Sequence, residues 1–194
     1  MMLSGILLPR LILSSYGSSV NGLVSSISQF LSIITFLDLG VGSVVQSALY
    51  RPLAKGESDR VSSVLKAANN YFRNISYALI IYIIFLIFLY PKFAGIEISD
   101  NFSTAILIIA ISISSFAQYY FGLANELLLN ADQKSYIQTS SEIVVVVLNL
   151  IASIILISMG YSIQIVKLVS GLIFFTRPLF LRYYIKKNYN INHN

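Results

Sequence analysis

Three ionisable residues stand inside apolar stretches: Arg10 in "ILLPRLIL", Asp38 in "LSIITFLDLGVGSVVQSALY" and Arg177 in "GLIFFTRPLFL". An ionised side chain at the centre of a lipid bilayer costs ~2.5 kcal/mol or more on insertion scales, so such residues face a bundle interior or a wet cavity and find partners there. Asp38 has two readings. Paired with Arg10 across a short turn, it is a salt bridge that sets helix packing. Placed in a cavity, it is part of a functional site. Arg177 precedes Pro178, which loosens a helix, and a guanidinium in a kinked span suits an anionic ligand. The alternative is a guanidinium that snorkels to the nearest interface. Arg10, Asp38 and Arg177 are therefore the candidate site residues. Lys167, Gln46 and Asn149 are weaker ones, because neutral polar groups such as Gln46, Gln118, Asn125 and Asn149 more often hold helices together.

These residues need elements to carry them, and composition says which. Of 194 residues 56% are hydrophobic and 11% are charged, under half of the ~25% usual in soluble domains. Uncharged windows mark the expected crossings, each helical because lipid leaves no backbone group unpaired. A partial span covers 3–16, and the turn residues of "SSYGSSVNG" follow it. Full spans are expected at about 23–50, 74–91, 102–125, 142–160 and 163–184. The segment 51–73 has Val61, Val64, Leu65, Ala68 and Phe72 at helical spacing and reads as an amphipathic helix on the inner surface, or as a coupling helix to a partner. The expected fold is an all-α polytopic membrane protein: one transmembrane helical domain over 1–194 with about six transmembrane helices.

With alternating spans, ten of the 13 Lys and Arg residues fall on one side: Arg51, Lys55, Arg60, Lys66, Arg73, Lys134, Arg177, Arg182, Lys186 and Lys187. The positive-inside rule then puts both termini in the cytoplasm, and Tyr90, Tyr161, Tyr183 and Tyr184 are expected at the interfaces. The same rule accounts for the net charge of +5 without nucleic acid. Enzyme chemistry has little to work with. The single histidine, His193, lies in a polar tail, cysteine is absent, and neither a metal-ligand cluster nor a phosphate-cradling glycine loop is legible. We therefore expect no enzyme, no metal and no cofactor. Any transport would draw on an ion gradient, the membrane potential or the solute's own gradient.

The run from Leu8 to Glu57 resembles the amino-terminal region of Wzx-type polysaccharide flippases, which handle O-antigen and capsule precursors in the multidrug/oligosaccharidyl-lipid/polysaccharide (MATE-like exporter) superfamily. The features that carry this are the Arg10 segment, "YGSSVNGL", "DLGVG" and "LYRPLAKGE". "LLLNADQKSYIQ" (Leu127 to Gln138) is similar to that family's loop between spans 4 and 5. The resemblance implies one lobe of a MATE-like transporter, clipped at its start, with a second lobe missing or supplied by dimerisation. It implies flipping of an undecaprenyl-diphosphate-linked oligosaccharide across the bacterial inner membrane for surface polysaccharide and lipopolysaccharide biosynthesis. Arg10 and Arg177 would meet the diphosphate, and Asp38 would orient Arg10 or bind a coupling cation or proton. The competing expectations are a cation-coupled multidrug exporter, a non-transporting membrane subunit and, less favoured, a polysaccharide polymerase.

Overall fold

The structure, a computed structural model, describes residues 2–38, 40–94 and 101–189. The described residues form α-helices joined by short turns, with no strand among them. In chain order these are α1 (Met2–Ser32), a 3-10 turn (Ile33–Asp38), α2 (Val41–Lys55), α3 (Ser58–Ala94), α4 (Asn101–Ala117), a π turn (Gln118–Gly122), α5 (Leu123–Ala131), α6 (Ser135–Ser158) and α7 (Ile163–Asn188). Among the described residues four stretches are long and apolar enough to cross a membrane: Ser58–Tyr90, Phe102–Ala131, Ser135–Ser158 and Ile163–Asn188. They correspond to the expected spans at 74–91, 102–125, 142–160 and 163–184.

The expected first two crossings differ. Gly17, inside the expected turn, breaks α1 at φ 86°, while the residues on both sides of it stay helical. The stretch 23–50 is not one helix either. It passes from α1 through the 3-10 turn to Gly40, whose φ of 82° starts α2 from a left-handed residue. Only glycine takes that conformation without a steric cost. Neither break leaves a helix of the ~20 residues that a straight crossing needs, since α2 has 15.

The segment 51–73 also differs from a separate surface helix. Its residues 58–73 are the first turns of α3, a 37-residue helix about 55 Å long at 1.5 Å per residue. Val61, Leu65, Ala68, Phe72, Ile75 and Leu79 are all buried and recur at spacings of four and three. One seam thus runs in phase through the polar and the apolar halves of the helix, and its partner is the protein core. A 3.5-residue repeat of this kind belongs to helix-on-helix packing.

α7 packs between α4 and α6, α3 lies against α4, and α2 sits against α3 and α5. The α4–α7 contact is close because Gly171 has no side chain: a Cβ there would lie 2.6 Å from the Ala110 carbonyl oxygen. α6 is apolar outside and polar inside. Val145, Asn149 and Ser153 are buried, whereas Ile143, Val144, Val147, Leu148, Ile151, Ile154 and Ile155 are exposed. Water-soluble proteins rarely expose contiguous apolar patches beyond a few hundred Å².

Two cross-links define the ends of the bundle. At one, the Tyr16 hydroxyl donates to the Tyr161 carbonyl, joining the break in α1 to the turn before α7. At the other, the Tyr189 hydroxyl donates to Asp132 and the Lys134 ammonium lies 2.7 Å from the same carboxylate, clasping the α5–α6 turn to the end of α7. Burial opposes ionisation of Asp132, but the hydrogen bonds from Lys134 and Tyr189 outweigh it and hold the carboxyl below its ordinary value. The hydrogen bond to Asp132 raises Lys134. Burial, with the same carboxylate beside it, pushes Tyr189 up to about 12. Tyr161 and Tyr183 are exposed, whereas Tyr90, at the end of the apolar stretch Ser58–Tyr90, is 6% exposed and meets Phe30 edge-on at 5.7 Å.

Candidate functional site

Arg177 is the sequence candidate around which other chemistry gathers. It sits in α7 immediately before Pro178, and its side chain is 13% exposed. Its Nη2 lies 3.0 Å from Glu126 Oε1 and 3.5 Å from Glu142 Oε2. Glu126 is 10% and Glu142 32% exposed. Two amides complete the shell of Glu126: Gln118 Nε2 donates to Oε1 at 2.8 Å, and Gln138 Nε2 donates to Oε2 at 3.3 Å.

Local structure explains why these groups meet. Gln118 opens the π turn, whose wider winding is frequent at functional positions, and Gly122 follows one turn later with nothing to push the amide aside. A Cβ at Gly122 would lie 2.9 Å from Gln118 Oε1 and 3.1 Å from Pro178 Cβ. On α6, Gln138, Glu142, Val145, Asn149 and Ser153 recur every three or four residues and so share one face. That face meets α7. α5 supplies Glu126, α6 supplies Glu142 and Gln138, and α7 supplies the cation.

The cluster borders two cavities. One, of about 510 Å³, lies between α1, the 3-10 turn, α4, the π turn and α7, with Ser28, Ser32, Ser114, Gln118 and Arg177 in its wall. The other, of about 580 Å³, lies between α6 and α7 and reaches Arg177 past Ser140, Ser141 and Thr176. Among the described residues four buried side-chain polar atoms have no hydrogen-bond partner, and three of them lie on the facing helices α6 and α7: Arg177 Nε, Gln138 Oε1 and Asn149 Oδ1. Unsatisfied buried groups are uncommon in folded proteins, and here they leave donor and acceptor positions open to a ligand.

The arrangement alters the electrostatic reading of Arg177. It is not a bare cation awaiting an anion, because two carboxylates share it. With both ionised, the trio carries a net charge of −1. The carboxylates also account for a guanidinium that stays inside the bundle rather than snorkelling away from it.

The other candidates are dispersed. Arg10 is exposed on the first half of α1. The Asp38 backbone ends the 3-10 turn, but its side chain, and with it the expected pairing to Arg10, lies outside the described residues; so do the side chain of Lys92 and the tail that holds His193. Gln46 donates to the Tyr50 hydroxyl at 2.9 Å on an exposed face of α2, a contact within one helix. Asn149 is 4% exposed on the inward face of α6. Lys167 is half-buried in α7. Glu126 and Glu142, the partners of Arg177, are not among the sequence candidates; they stand at the edges of the expected spans 102–125 and 142–160. The available signal was the α6 stripe, in which Gln138, Glu142 and Asn149 share the inward face of an otherwise aliphatic helix.

No family model matches the chain, and neither the curated proteins nor the solved structures yield a match.

Proposed function

We propose that this chain is a multi-pass helical lobe of a transporter that moves undecaprenyl-diphosphate-linked oligosaccharide across the bacterial inner membrane. The observation that carries the transport reading is the Glu126–Arg177–Glu142 cluster, an ion network enclosed by apolar helices and open to two cavities. Ionisable groups at membrane depth mark solute and ion pathways. The inside-out pattern of α6 supports a lipid surround, and breaks such as those at Gly17 and Gly40 suit helices that line a path. The substrate class rests on the resemblance of the segment from Leu8 to Glu57, and the MATE-like lobe, the second lobe and the cytoplasmic termini belong to the same reading. Arg10 and Asp38 would serve the path's first segment.

Proteoliposomes that hold a fluorescent undecaprenyl-diphosphate oligosaccharide in one leaflet test this. Transfer to the other leaflet should be faster than in protein-free vesicles and slower with Arg177→Gln. Equal rates with and without protein would overturn the substrate assignment.

A second reading, cation-coupled export of cationic drugs, is favoured by the acid excess around Arg177. Ethidium movement in the same vesicles without oligosaccharide transfer would select it.

A further inference from the structure

A third cavity, of about 760 Å³, has chemistry that neither the Arg177 cluster nor the transport reading uses. It opens between the first turns of α3, the π turn, α5 and the last turns of α7. Its wall carries Lys66, Arg73, Arg182 and Lys186 and no acidic side chain, with Asn69 and Asn125 adding amides. The four cations stand on two helices, α3 and α7, that face each other across the opening. Leu65 and Ile185, each 3% exposed, form an apolar floor.

Some of the cations are held in position. The Arg182 guanidinium lies over the Phe121 ring at 5.3 Å, a contact that orients its plane. Arg73 Nη2 donates to Asn70 Oδ1 at 3.1 Å, leaving its other N–H groups available. Four like charges around one concavity repel one another, and a multivalent anion reverses that cost. Guanidinium groups meet phosphate with paired hydrogen bonds, and ammonium groups add point charge. The cavity lies toward the end of the bundle where α2 turns into α3 and α7 terminates, which also carries Lys55 and Lys187, with Arg60 and Lys134 paired there to Glu57 and Asp132. Basic pockets between membrane helices on such a face accept anionic lipid headgroups.

We propose that this cavity is a phosphate-binding site, which takes the phosphate of a lipid headgroup in the adjoining leaflet or the same group on a soluble molecule. It stands apart from the Arg177 cluster and does not depend on which solute that cluster serves.

The test uses the purified full chain in a zwitterionic detergent, titrated with dihexanoyl phosphatidylglycerol, dihexanoyl phosphatidylcholine or inorganic pyrophosphate, with binding read as a rise in melting temperature. Phosphatidylglycerol should bind and phosphatidylcholine should not. Each cation removed should weaken the midpoint by about fivefold, since a juxtamembrane Lys or Arg contributes about that factor toward an anionic headgroup. Lys66→Gln and Lys186→Gln alter exposed side chains and leave the core intact, so they keep the test valid if the fourfold variant with Arg73→Gln and Arg182→Gln is poorly folded. Lys55→Gln with Lys187→Gln removes two charges from the same end outside the cavity and should leave the midpoint unchanged. Binding of phosphatidylglycerol without pyrophosphate assigns the lipid source, and binding of both with equal midpoints assigns a soluble phosphate. The proposal is overturned if neither anion binds, if the cavity variants keep the wild-type midpoint, or if the Lys55/Lys187 pair weakens binding as much as the Lys66/Lys186 pair.

Discussion

Replacing Arg177 with Met removes the cation of the buried trio while keeping most of its bulk. Glu126, 10% exposed, then lacks a counter-charge. Breaking a buried ion pair by deleting one partner costs roughly 3–5 kcal/mol. Glu126 keeps the Gln118 and Gln138 amides at 2.8 and 3.3 Å, so the low end applies, about 3 kcal/mol. Glu142→Gln should cost far less. Its carboxylate is 32% exposed and 3.5 Å from the guanidinium, and pairs near solvent contribute below about 1 kcal/mol. The double variant Arg177→Met/Glu126→Gln removes both charges and should return to within about 1 kcal/mol of wild type. For a chain of this size 1 kcal/mol shifts Tm by about 2–4 °C. The single Met variant should therefore melt about 6–12 °C low, and the double variant and Glu142→Gln less than about 4 °C low. Melting followed by loss of the monodisperse peak in detergent, at one heating rate for all variants because a scanned Tm can depend on that rate, resolves these differences. A double variant as unstable as Arg177→Met would refute the reasoning, since the cost would then lie in lost packing rather than in a stranded carboxylate.

Gly171→Ala should destabilise by about 1–3 kcal/mol, as overpacking does, because the new methyl meets the Ala110 carbonyl oxygen, which belongs to backbone and cannot swing away; an unchanged Tm would mean that α4 and α7 approach less closely. Asn149→Leu should leave Tm level or raise it, since Oδ1 is buried without a partner and its desolvation goes uncompensated, while solute transfer falls if that atom receives substrate. The clasp at Asp132 predicts a pH profile. Tyr189 and Lys134 are raised in the folded state, so their contribution is complete below their ordinary values and fades as pH climbs toward about 12. Asp132 is lowered, so its contribution is complete above its ordinary value of 3.8 and is lost on acidification through the folded value. Melting scans from pH 8 to 12 should show an alkaline decline that is shallower in Tyr189→Phe, and an identical decline in that variant would remove Tyr189 from the account.

The apolar windows located four long helices because window hydropathy reports directly on what lipid tolerates. The breaks were harder to place. "SSYGSSVNG" looks like a nine-residue turn, yet only Gly17 leaves the helical region, because Ser and Asn accept helix geometry when neighbouring helices hold them there. The junction between 51–73 and the following span was obscured by charge. Lys66 and Arg73 suggest a surface element, while the buried seam from Val61 to Leu79, visible as an unbroken four-three spacing, says that one helix carries both. The site was half legible. Arg177 stands out by charge in an apolar run, but its partners come from α5 and α6, and no local pattern brings residues 126, 142 and 177 together. That meeting depends on how α7 wedges between α4 and α6, which Gly171 and Gly122 permit through side chains they lack.

The π turn, the proline of α7 and the Arg177 ion cluster adjoin one another in the bundle. The π turn carries Gln118, Gly122 ends it against Pro178, Pro178 adjoins Arg177, and Glu126 follows one turn beyond Gly122. A proline in α7 and a π turn between α4 and α5 each weaken the backbone ladder of their own helix. The ion cluster bridges α5, α6 and α7 beside both weak points. Its charge state therefore bears on how these helices are held together: neutralising Glu126 or Glu142 loosens the tie to Arg177 where the backbone is most easily reshaped. An enclosed polar network that only stabilised packing would not need helix breakers beside it or unsatisfied atoms within it. Their coincidence between two cavities is the arrangement on which the proposed transport role rests.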